Sequence, residues 1–196
     1  MIIGLTGQIG AGKTSAADIF RELGAIIVDA DRIGRDVVEQ SPALLKKLVK
    51  TFGEDIVGAK GKLRRKQLAT VAFRDKDSRD KLNRLVHPYL LKELWRQVRA
   101  ADRNRLVVID AALLLHWQMD RKVDFVLVIH AGLQIRLNRL RARGITREDA
   151  LARQRAQLSF SEYQKKADRV ILNNRTPAIL RRKIIALFQQ IVPQTD

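Results

Sequence analysis

GLTGQIGAGKTSAADIF, residues 4–20, decides how the rest of the chain is read. Gly7, Gly12, Lys13 and Thr14 fit the spacing G-x-x-x-x-G-K-[ST], with Gly10 as a further glycine inside it. The apolar run MIIGLTG before the loop reads as a buried strand, and KTSAADIFRELG after it reads as a helix closed by Gly24. Glycines let the backbone curl until successive N–H groups form a nest for phosphate oxygens. A helix starting near Lys13 adds the positive end of its dipole. Lys13 can reach the outer phosphates as a point charge, and the Thr14 hydroxyl can ligate Mg²⁺. The stretch predicts a nucleoside triphosphate site. It does not say whether the phosphoryl group goes to water or to a second substrate.

Outward from the loop, strands and helices alternate. AIIVDAD is a second buried strand, ending in Asp29 and Asp31. RLVVIDAALLL, DFVLVIH and ADRVILNN read as three more. RLNRLRARGITREDALARQRAQ is helical and basic, and TPAILRRKIIALFQQIV is a closing helix that Thr176 can cap, with Pro177 in its first position. Apolar strands separated by helices predict an α/β fold: a parallel five-stranded sheet with helices on both faces. Residues 32–102 carry helical periodicity and no buried strand, so they read as a helical insertion within a single domain, 1–196.

Composition narrows the function classes. A chain of 196 residues with 46% apolar and 30% charged residues is globular and long enough for a real core. It has no apolar run of about 18 residues, and MIIGLTGQ lacks the basic start of a signal peptide, so a cytoplasmic protein with no membrane role is expected. With no cysteine, thiolate catalysis, thiolate metal sites and disulfides are excluded. A net charge of +17 favours anionic partners: nucleotides, other phosphorylated ligands, nucleic acid or anionic lipid. No nucleic-acid motif or aromatic stacking array accompanies that charge, so nucleic acid is not the expected partner.

Three further groups bear on chemistry. In a doubly wound sheet, ligands sit outside the carboxyl ends of the strands. A carboxylate there, Asp29 or Asp31, can take a proton from an attacking hydroxyl or bind Mg²⁺ through water; Asp31 can instead cap the helix that follows. Strand alternation would put both on one side. Asp110 at the end of the third strand fits either a metal-associated carboxylate or a strand-end cap. Arg136, Arg139 and Arg143 share one face of the basic helix at spacings of three and four, as arginines closing over a triphosphate would, or as a solvated face would. Arg64, Arg65 and Lys66 in the insertion can meet an anion or solvent.

Taken in order, these stretches resemble the dephospho-coenzyme A kinase family. GLTGQIGAGKTSAADIFRELGAIIVDAD is similar to its phosphate loop and aspartate motif; FGEDIV, GKLRRKQLATVAF and RLVHP are similar to its insertion signatures, and ADRVILNN to its last strand. The resemblance covers nearly the whole chain. It implies a nucleotide-binding core of the phosphate-loop hydrolase kind, a coenzyme-A-binding insertion at 32–102 and lid helices at 134–165. It implies transfer of the ATP γ-phosphoryl group to the 3′-hydroxyl of dephospho-coenzyme A, with Mg²⁺, in a monomer or small homo-oligomer. Asp31 then takes the role of catalytic base, beside Lys13 and Arg139. ATP falls to Gly7, Gly10, Ala11, Gly12, Lys13, Thr14, Ser15, Arg139, Arg143 and Asn173. The acceptor falls to Asp31, Arg35, His87 and Pro88, and the metal to Thr14. The chain departs from the family pattern at Ala112, Leu115 and His116, which stand for proline, an aromatic and glutamate. It departs again at Arg175, which stands for a glycine, and in a lid one residue short.

Overall fold

The computed structural model describes residues 1–102 and 104–192, the side chain of Lys60 excepted. The expected domain 1–196 therefore includes Arg103 and residues 193–196, which lie outside the described residues. The chain forms two compact units, Met1–Asp29 with Ala101–Asp196, and Ala30–Ala100.

In the first unit, β1 (Ile2–Thr6) leads through the glycine loop into α1 (Lys13–Glu22), and Gly24, at φ +92°, turns the chain into β2 (Ile26–Asp29). The second unit follows at once with α2 (Ala30–Gln40), α3 (Pro42–Phe52), α4 (Arg65–Ala72) and α5 (Lys76–Ala100). The first unit resumes with β3 (Val107–Asp110), β4 (Phe125–His130), α6 (Leu133–Arg141), α7 (Arg147–Arg155), α8 (Phe160–Lys166), β5 (Arg169–Leu172) and α9 (Pro177–Ile191).

The five strands form one parallel sheet in the order β2-β3-β1-β4-β5, which places β1 and its loop in the middle. Side chains alternate across β1. Ile3 and Leu5 join the core built with α1 and α9, where Phe20 meets Phe188 at 6.5 Å. On the other face, a Cβ on Gly4 would press on Leu114, and Tyr163 of α8 lies 3% exposed. Helices thus cover both faces. β5 is one of the two outer strands, and Lys183 of α9 donates to its last carbonyl, Leu172 O, at 2.8 Å.

The second unit has its own core. Leu44, Leu48, Ile56 and Ala72 are fully buried, with Leu68 beside them. Ser41 caps α3 by accepting from the Leu44 N–H at 3.2 Å. α2 and α5 pack closely at Gly34, where a Cβ would lie 3.1 Å from Leu90.

Three local expectations need correction. The apolar run 106–115 is not one long strand: β3 ends at Asp110, and the chain turns so that Leu114 can fill the space over Gly4. β2 ends at Asp29 and α2 starts at Ala30, so strand alternation does not reach Asp31. Thr176 occupies the N-cap of α9, but its side chain makes no capping hydrogen bond; Pro177 does take the first turn.

Candidate active site

The loop between β1 and α1 takes its shape from three left-handed glycines, Gly7 at φ +143°, Gly10 at +76° and Gly12 at +102°. Gly7 has a second constraint, because a Cβ there would overlap the Ile129 carbonyl oxygen of β4. Gly7→Ala therefore combines strain with a clash against backbone that cannot move aside. We expect it to cost about 3 kcal/mol or more in a denaturant-unfolding series, and an unshifted midpoint would refute the steric argument.

Lys13 is the first residue of α1, and neither that first turn nor the Gly12 cap carries an acidic side chain. The positive end of the helix is thus left uncompensated at the loop. Lys13 Nζ donates to Gly7 O at 3.1 Å, which lays the side chain along the loop. Thr14 and Ser15 follow, both exposed.

Side chains from the far end of the sequence hold the loop from outside. Arg139 of α6 donates to Gly10 O at 3.4 Å, Ala11 O at 3.3 Å and Asn173 O at 2.9 Å. Asn173, just past β5, donates its side-chain amide to Ala11 O at 2.9 Å, and its backbone N–H donates to His130 O at 2.7 Å. Arg136 donates to Ala131 O at 2.9 Å and reaches Ile9 O at 3.5 Å. Ile9 N–H donates to the Gln157 side chain at 2.8 Å, and Gln8 donates back to Leu158 O at 3.1 Å. Burial, and secondarily the like charge of Arg143, lowers the proton affinity of Arg139, which remains a cation as arginines do.

Among the predicted site residues, the structure therefore brings Gly7, Gly10, Ala11, Gly12, Lys13, Arg139 and Asn173 together, with Thr14 and Ser15 on the adjoining turn of α1. Arg143 lies just past α6, exposed. Asp29 and Asp110 are register partners at the ends of adjacent strands, and Asp110 also pairs in register with Leu5 of β1. In the second unit, Asp31 and Arg35 lie four residues apart on α2, both exposed, which places them on one face. His87 and Pro88 lie within α5, which packs against α2.

The loop that departs from the family pattern is firmly seated. Tyr163 OH donates to Ala112 O at 3.5 Å, Leu114 is fully buried, and Lys166 pairs with Asp120 at 3.0 Å. His116 faces solvent. Sequence reasoning missed Gln8, Gln157 and His130. The imidazole of His130 stacks on Phe160, centroids 3.7 Å apart, and burial followed by the nearby Arg136 charge pushes its proton affinity down. Nothing in local spacing ties position 8 to position 157, or position 130 to position 160, so no local signal could have found them.

The family model for dephospho-CoA kinase matches residues 1–178. A dephospho-CoA kinase of Corynebacterium diphtheriae is 36% identical over 198 residues, covering 100% of this chain and 99% of that protein. One from Geobacillus kaustophilus is 37% identical, covering 97% and 96%. Among solved structures, TT1252 from Thermus thermophilus superposes with a TM-score of 0.85 at 31% identity, covering 98% of each chain. A dephospho-CoA kinase from Campylobacter jejuni, at 24% identity, shares the fold with a TM-score of 0.75 over 97% of this chain and 96% of its own.

Proposed function

From the premise that this chain belongs to the dephospho-coenzyme A kinase family, we propose a division of labour among its residues. The chain is a kinase that transfers the γ-phosphoryl group of ATP to the 3′-hydroxyl of dephospho-coenzyme A, giving coenzyme A and ADP. This is the final step of coenzyme A biosynthesis. The observation that carries the reading is the phosphate loop: three left-handed glycines at the head of a helix whose first turn has no acidic side chain, braced from behind by Arg139 and Asn173.

The loop and the start of α1 bind the donor phosphates through backbone N–H groups and the helix dipole. Lys13 neutralises charge on the outer phosphates. Arg139 fixes the loop from outside, and with Arg143 it supplies positive charge as the phosphoryl group moves. The hydroxyl of Thr14, an exposed residue in the first turn of α1, is a hard oxygen donor of the kind Mg²⁺ takes, and the strand-end carboxylates Asp29 and Asp110 would suit an outer shell through water. Mg²⁺ held by these residues would supply charge neutralisation on the donor phosphates.

Asp31 accepts the proton of the acceptor hydroxyl. The hydroxyl oxygen forms its bond to the γ-phosphorus as the bond to the β-phosphate oxygen breaks, and ADP leaves. Arg35, His87 and Pro88 contribute to the acceptor side. Among the described residues no helix is long and apolar enough to cross a membrane. The same reading places the protein in the cytoplasm, as a monomer or small homo-oligomer, with no nucleic acid partner.

The test is purified protein with ATP, Mg²⁺ and a panel of acceptors, with product identified by mass. A gain of one phosphoryl group on dephospho-coenzyme A is expected. Phosphorylation of a nucleoside monophosphate instead, or ATP hydrolysis driven by DNA or RNA, would overturn the assignment.

A further inference from the structure

Arg136 is only 4% exposed, in the first turn of α6. Buried guanidinium groups are costly, and they normally have an anionic partner. Among the described residues no carboxylate pairs with Arg136. Its polar contacts are two backbone carbonyls, Ala131 O and Ile9 O. Arginine cannot shed its proton to relieve the cost.

The surroundings add to the positive potential. The first turn of a helix disfavours a cation, and α6 carries no acidic residue there. The start of α1, also acid-free, faces the same loop. Among the described residues, Arg139, one turn further along α6, is hydrogen-bonded to carbonyls of the loop and of Asn173. Arg136 backs directly onto the loop, because a Cβ on Gly10 would lie 3.1 Å from the Arg136 Cβ.

We propose that Arg136 is a positioning residue for the donor, a buried cation behind the phosphate loop whose charge is balanced only when a polyphosphate anion occupies the loop. It acts through the loop, holding Ile9 and adding field, rather than by touching the phosphates. The inference rests on the phosphate-donor reading above and assigns that site a charge that its surface residues do not supply.

A residue of this kind makes the empty protein less stable than it could be and the loaded protein more so. The experiment compares the parent with Arg136→Met, which keeps the stem and removes the charge, and with Arg136→Lys, which keeps the charge. Melting temperature is measured with no ligand, with ATP and with inorganic tripolyphosphate, alongside KM for ATP and kcat. For Arg136→Met we expect an unliganded melting temperature equal to or above the parent's, a much smaller ligand-induced shift, and KM for ATP raised roughly tenfold or more. Arg136→Lys should keep most of the ligand-induced shift. A merely structural arginine gives the opposite pattern, a lower unliganded melting temperature with the full ligand-induced shift and unchanged KM, and that result overturns the proposal. Should Arg136→Met fail to fold, a well-folded Arg136→Lys that loses the ligand-induced shift overturns it equally. If the parent itself gains no stability from ATP or tripolyphosphate, it is the donor-site reading that falls.

Discussion

Asp31→Ala is expected to lower turnover with dephospho-coenzyme A by about a thousandfold, the usual scale for losing a positioned general base. The affinity for ATP should stay close to the parent's, because the residues proposed to hold the donor belong to the loop and α6. The split between these two readouts is the diagnostic. Asp31 is exposed in the first turn of α2, and a surface carboxylate with no catalytic part could be removed at little cost to rate. Asp31→Asn keeps the shape and removes only the proton acceptor, so it should fall with the alanine variant. Steady-state kinetics together with equilibrium nucleotide binding decide the matter. Turnover near the parent's in both variants would remove Asp31 from the mechanism, with Asp29 the next carboxylate to examine.

Lys13→Ala should be the more general lesion. Lys13 is the sole lysine of the loop motif, and its ammonium lies on Gly7 O at 3.1 Å. Removing it takes away charge that favours the bound donor, and favours still more the charge spread over the phosphoryl group in flight. KM for ATP should rise and kcat should fall together, with kcat/KM down by roughly a hundredfold to a thousandfold. The fold should survive, since Lys13 is not part of the apolar core that α1 and α9 build with the sheet. Kinetics equal to the parent's, measured with circular dichroism to confirm folding, would show that the loop does not hold the reacting phosphates.

These predictions use the parts of the protein that were easiest to read from sequence. The five strands, the helical insertion and the loop motif are written in local periodicity and in glycine spacing, which set backbone conformation without help from distant residues. The reading weakened wherever tertiary packing decides. Ala111 to Leu115 are as apolar as β3, yet they turn away because Leu114 is needed over Gly4. Asp31 stands two residues past Asp29, but the switch from strand to helix at Ala30 ends the alternation that would pair them. Gln157, Asn173 and Arg136 bear on the loop from more than a hundred residues away, and no window along the sequence links them to it. The basic helix was legible as a set of arginines. That one of them lies buried behind the loop while another grips its carbonyls was not.

The bonds from Arg139, Gln157 and Asn173 to Ile9, Gly10 and Ala11 have a consequence for how the protein is made. The loop leaves the ribosome well before the groups that brace it, which lie more than a hundred residues further along the chain. Contacts this distant in sequence form only after the intervening chain has been synthesised and has closed on itself. A nascent chain carrying the glycine loop, α1 and the whole helical insertion therefore lacks a finished nucleotide cradle. The brace is complete only once β5 and Asn173 have docked beside β4, so its assembly waits on the later part of the chain.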